Sequence, residues 1–170
     1  MALREICSLL AIVSLAACGD DSPVEEDLCL GSDAPVATLG QGVGGAFLEY
    51  EDKEQVSLAV APQGGFGVSV IVRTQGLLAG SGLTADVQLN VESDGSLVGE
   101  FLQEQTALSC RSGIGGEVRG IVVGFDPDVY KTNDDLIQLN GQVVDLVVTV
   151  TDAEDRSATV RQAVTVVVGG

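Results

Sequence analysis

From residue 36 onward apolar and polar residues alternate with a period of two, and the alternating stretches are bounded by Gly, Asp, Asn and Pro. Successive side chains of a strand point to opposite faces, so this period predicts half-buried strands. The clearest run is Asp86-Val87-Gln88-Leu89-Asn90-Val91-Glu92, in which Val87, Leu89 and Val91 face a core and the polar residues face water. Ser93-Asp94-Gly95-Ser96 predicts a tight turn with Gly95 at positive φ, and residues 97–103 the returning strand. A second hairpin is expected from residues 56–60, the turn Pro62-Gln63-Gly64-Gly65, and residues 66–73, with Phe66, Val68, Val70 and Val72 on one face.

The carboxy-terminal part carries the pattern most strongly. Val144, Leu146, Val148 and Val150 form an inner row, Asp152-Ala153-Glu154-Asp155-Arg156 turns the chain, and Ala158, Val160, Gln162, Val164, Val166 and Val168 form the next inner row. Residues 47–51, 118–125 and 136–140 read as further strands. About eight or nine short strands without a helical period predict an all-β protein, a single immunoglobulin-like antiparallel β-sandwich over residues 36–170.

The first 35 residues do not follow this pattern. A short head containing Arg4 and Glu5 precedes the apolar run 6–17, which is shorter than the ~20 residues a stable transmembrane helix needs. Residues 1–17 therefore read as an export signal. Leu15-Ala16-Ala17-Cys18 resembles the bacterial lipobox, in which small residues precede a cysteine that is lipidated and becomes the first residue of the mature protein. Several buried acyl chains, at about 0.8 kcal/mol per CH₂, would make the anchoring effectively permanent. Residues 18–35 are then the lipidated Cys18 and an acidic tether, GDDSPVEEDL at its centre, a composition that repels itself and extends. Gly19 stands where many Gram-negative lipoproteins carry an inner-membrane retention aspartate, so the expected location is the outer membrane.

Composition adds exclusions. The chain of 170 residues holds 25 acidic and 8 basic side chains, a formal charge of −17, beside 45% hydrophobic residues and 22 glycines. Because Arg4 and Glu5 cancel, the whole excess lies beyond residue 17. A charge this negative argues against nucleic acid, and an apolar content this high argues against intrinsic disorder. Histidine is absent. Without it no Ser-His-Asp or Cys-His catalytic site and no histidine-bearing zinc site can be built, and the chain reads as non-catalytic. Of four cysteines, Cys7 leaves with the signal and Cys18 takes the lipid. Cys29 and Cys110 remain in an oxidising compartment and are expected to form one disulfide, closing a loop of roughly 80 residues and adding about 4 kcal/mol; two free thiols are the alternative, since a bridge needs Cα atoms within ~7 Å, which spacing alone does not give.

Several motifs invite chemistry. Gly40-Gln41-Gly42-Val43-Gly44-Gly45 has G-x-G-x-x-G spacing, but the residues after it lead into a hairpin where a dinucleotide site needs a helix, so nucleotide binding is not expected. Asp126, Asp128, Asp134 and Asp135 concentrate carboxylates in one connection, and Asp152, Glu154 and Asp155 in another. Calcium takes six to eight such oxygens, which makes these residues the candidate ligands of a calcium-dependent adhesion or assembly module; solvated acidic turns are the simpler expectation. Ser81 and Ser112 lack a base partner and read as loop serines.

Two resemblances add a fold expectation. Residues 142–168, with V-x-V-T-D, an acidic turn and a closing V-T-V strand, resemble the end of immunoglobulin-like and polycystic-kidney-disease-type repeats. Residues 36–168 together with the lipobox, the tether and the turn Ala61-Pro62-Gln63-Gly64-Gly65 resemble uncharacterised lipoproteins of myxobacteria-type Gram-negative bacteria. The chain departs from them at Phe66-Gly67-Val68-Ser69, where an aromatic-histidine-x-tryptophan stretch would stand. The resemblance implies a lipid-anchored envelope module with a protein partner in the envelope or at the surface, and no activity.

Overall fold

A computed structural model describes Cys29 and residues 34–43, 45–60, 65–111, 114–130 and 132–169. The expected signal, Cys18 and most of the expected tether lie outside the described residues, as do residues 61–64 of the expected turn. The strands are β1 (Val36–Val43), β2 (Ala46–Glu49), β3 (Glu54–Ser57), β4 (Ala59–Val60), β5 (Phe66–Gln75), β6 (Thr84–Ser93), β7 (Ser96–Ala107), β8 (Ser109–Arg111), β9 (Gly115–Gly124), β10 (Val143–Asp152) and β11 (Ser157–Val167); one short helix, α1 (Asn133–Ile137), precedes β10. They form two sheets, so the protein is an all-β sandwich. One sheet has the order β2-β1-β5-β9-β8, with β4 also on β5, and the other has the order β3-β11-β10-β6-β7.

The inner rows read from the alternation meet between the sheets. Val87, Leu89 and Val91 of β6, Val144, Leu146, Val148 and Val150 of β10, and Val68, Val70 and Val72 of β5 are all buried. Each such side chain contributes about 1.5–3 kcal/mol by leaving water, against the entropy of ordering it. The β6–β7 hairpin closes through Asp94 at φ 49° and Gly95 at φ 76°, a pair of positive values that suits the right-handed twist of the flanking strands.

Three local expectations are corrected. Residues 136–140 are not a strand: α1 begins at a capping box in which the Thr132 hydroxyl accepts from the Asp135 N–H and the Asp135 carboxylate accepts from the Thr132 N–H at 2.9 Å. Leu136 and Leu139, three apart, are both buried, so this segment follows a helical period. Residues 56–60 are not one strand. The chain changes sheets at Leu58, since β3 pairs parallel with β11 and only β4 pairs with β5. Phe66, finally, is 36% exposed although it shares the parity of the buried valines, because the inter-sheet space opens at its end.

Candidate functional site

The two sheets separate along a seam between β7 and β9. β7 is the last strand of its sheet, and β8 pairs with β9 only at residues 115–117, so no named strand covers the outer edge of β9 from Val118 to Gly124. The sheets join at one end of this seam. Asp126 N–H donates to the Val98 carbonyl at 2.8 Å and Gly99 bridges Phe125, while within its own sheet Phe125 continues the β5–β9 ladder by donating its N–H to the Phe66 carbonyl at 3.1 Å. A Cβ at Gly99 would run into the Gly124 carbonyl, so glycine is what lets the two backbones approach.

Beside this junction a groove of about 690 Å³ opens. Its lining combines Gly99, Gly120 and Gly124 with Phe66, Leu97, Phe101, Val122, Phe125 and Tyr130. Three of the four phenylalanines of the chain therefore stand around one groove. Phe125 and Tyr130 meet edge to face with ring centroids 5.5 Å apart. Burial and then the nearby Asp126 charge raise the Tyr130 pKa, so its hydroxyl stays protonated. Leu97 is 56% exposed, an apolar side chain on the rim without a cover. The charged residues of the lining are both acidic, Glu100 and Asp126.

A second arrangement occupies the outer face of the six-stranded sheet. Glu117 of β9 is 1% exposed and accepts from the Nε groups of Arg73, Arg111 and Arg119. Burial pushes its pKa up, but hydrogen bonds from Arg119 and Arg73, reinforced by their charge, hold it down at about 2. Between Val70 and Val72 the β5–β9 register shifts, and Gly120 at φ 78° takes up the extra residue of β9.

The sequence-derived residues are distributed as follows. Cys18 lies outside the described residues. Cys29 and Cys110 are joined in a disulfide with Cα atoms 5.4 Å apart, and Cys29 also exchanges backbone hydrogen bonds with Ala79. Asp126 and Asp128 share one turn, in which Asp126 accepts from the Asp128 N–H at 2.8 Å; Asp134 and Asp135 lie in the first turn of α1. Asp152 is buried and accepts from the N–H groups of Leu78, Glu154 and Arg156 and from the Arg156 guanidinium. Burial would raise its pKa, and these donors lower it instead. Among the described residues no group of three or more His, Cys, Asp or Glu is gathered as a metal site would require. Gly40 and Gly42 are strand residues: at either position a Cβ would collide with Leu48, Phe47 or Ile71, so the glycines fit β1 closely against β2 and β5. Neither the groove nor the arginine cluster was read from the sequence. Phe66 has the parity of the buried valines, and only Arg111 and Arg119 lie near Glu117 in sequence, so both arrangements need the strand pairing to acquire meaning.

Compared with known protein families, curated proteins and solved structures, the chain matches none of them.

Proposed function

We propose that the protein is a non-catalytic binding module of the cell envelope, anchored through a lipid on Cys18 in the outer membrane, whose groove between β7 and β9 takes an extended apolar polypeptide segment. The observation that carries the reading is the groove itself, lined by aromatic residues and glycines and flanked by two strand edges without full partners. An open edge offers backbone donors and acceptors to an added strand, and the side pockets select alternate residues. Glu100 and Asp126 favour a segment with cationic residues at its polar positions. The lipobox at residues 15–18 and the acidic tether support the location. The two buried carboxylates support the non-catalytic role, since Glu117 and Asp152 are held ionised by arginines and backbone donors and neither is poised to give a proton near neutral pH.

The test is an NMR titration of the protein with synthetic peptides that alternate valine and lysine. Shifts of the Gly99, Phe101 and Gly124 amides are expected. A Cβ at Gly124 would meet no atom within 4 Å, so Gly124→Leu should fill the groove without disturbing the sheets and abolish those shifts. Peptide-induced shifts that spare these residues, or that persist in Gly124→Leu, would refute the groove as the site.

A further inference from the structure

The arginine cluster holds more positive charge than its carboxylate needs. One buried carboxylate is neutralised by one cation, and Glu117 receives three: Arg73 at 2.8 Å, Arg111 at 3.2 Å and Arg119 at 2.5 Å. The cluster therefore carries a net charge of +2 in a chain of −17. Strand pairing assembles it. Arg73 of β5 lies opposite Glu117 of β9, Arg119 follows two residues on, and Arg111 comes from the neighbouring β8.

The three guanidinium groups are also fixed in place. Each spends its Nε on Glu117; Arg73 lies over the Phe47 ring at 4.1 Å from its centroid, and Arg119 donates Nη1 to the Gly45 carbonyl at 3.0 Å. The Nη groups of Arg73 and Arg111 have no hydrogen-bond partner among the described residues. The Arg111 side chain is 53% exposed and that of Arg119 36%. Beside Arg73 a hollow of about 270 Å³ is bordered by Thr38, Phe47, Glu49 and Gln75.

We infer that this cluster is a binding site for a phosphate monoester. A monoester carries about −1.5 to −2 charges at pH 7, which matches the excess of the cluster. Guanidinium forks suit its oxygens in pairs, and side chains already held by Glu117, Phe47 and Gly45 lose little further freedom on binding. The hollow over Phe47 receives the rest of the molecule, and Glu49 on its wall selects against a second negative group. Two sources share this chemistry, a phosphorylated lipid headgroup and a soluble ester. The lipid source rests on the anchoring proposed above: Cys29 is tied to Cys110 beside Arg111, and the eleven-residue connection from Cys18 reaches at most about 36–40 Å when extended. The site itself does not depend on the anchor.

The experiment follows the arginine Nε–H signals of the purified protein by ¹⁵N NMR during titration with methyl phosphate, dimethyl phosphate and soluble dihexanoyl phosphatidic acid. Methyl phosphate is expected to shift the signals of Arg73, Arg111 and Arg119, and the singly charged dimethyl phosphate to bind about tenfold more weakly. Replacing Arg111→Gln and Arg119→Gln together should weaken methyl phosphate binding about tenfold or more, the loss of charge-assisted bonds. Arg111→Gln alone, at the most exposed of the three, gives the same direction of change if the double variant does not fold. Tighter binding of dihexanoyl phosphatidic acid than of methyl phosphate identifies a lipid headgroup; equal or weaker binding identifies a soluble ester. Absence of shifts at millimolar methyl phosphate, or unchanged affinity in a folded variant, overturns the inference. Because methyl phosphate binding needs no lipid anchor, that failure is separable from a failure of the envelope reading.

Discussion

Glu117 keeps its charge inside the sheet because the hydrogen bonds and charges of Arg119 and Arg73 outweigh the cost of burial, and this sets a pH dependence. Its pKa falls from 4.5 to about 2 on folding, so its contribution is complete above about pH 4.5 and is lost as the pH drops toward 2. The displacement corresponds to about 3 kcal/mol. Urea unfolding at about pH 5 and pH 2 should show the wild type losing that much more stability than Glu117→Gln; parallel losses would mean that Glu117 is not held ionised. Thr74 shows the reverse situation. It is 1% exposed, and its Oγ1 has no hydrogen-bond partner among the described residues, with Leu108 and Ala79 near it around Gly116. Valine keeps the shape and removes the unpaired hydroxyl, so Thr74→Val should raise stability by about 1 kcal/mol in the same unfolding assay; a decrease would show that the hydroxyl is satisfied in solution.

At the scale of elements, the contrast between β10 and α1 shows how pattern and chemistry divide the work. β10 alternates buried and half-exposed residues along its whole length, and its strict period was readable without the fold. The segment around α1 has the apolar residues of a strand, but the capping box between Thr132 and Asp135 supplies the donors and acceptors that a first helical turn lacks. That local chemistry overrode a weak period. The same scale governs Cys29, which adds a single bridge to Ala79 and is fastened by the disulfide to β8. With the two cysteines 81 positions apart, their replacement by alanine should lower the unfolding free energy by about 4 kcal/mol while the two-sheet circular dichroism signature remains. A loss under about 1 kcal/mol would show that the bridge does not constrain the unfolded chain.

For the whole molecule, the acidic surface and the apolar interior serve separate ends: burial holds the sheets together, and the charge of −17 favours solvation. Against that background a +2 cluster and an apolar groove are local exceptions on an otherwise repellent surface. The address is tested at this scale too. Cys18→Ser should abolish acylation and leave residues 1–17 attached, read by mass spectrometry of the membrane fraction; normal processing would refute the lipobox. The chain by itself determined the strands with a buried face, such as β6 and β10, and the placement of acidic residues in turns, because side-chain parity and turn chemistry are local properties; the pairing of Cys29 with Cys110 was an expectation among four cysteines that needed the 5.4 Å approach of their Cα atoms in the fold. It did not determine that β3 pairs with β11 rather than with β5, that Phe66, Phe101 and Phe125 surround one groove, or that Arg73, Arg111 and Arg119 converge on Glu117. Those depend on strand order and on a register shifted at Gly120, and hydrogen bonds between distant strands leave no period in the sequence.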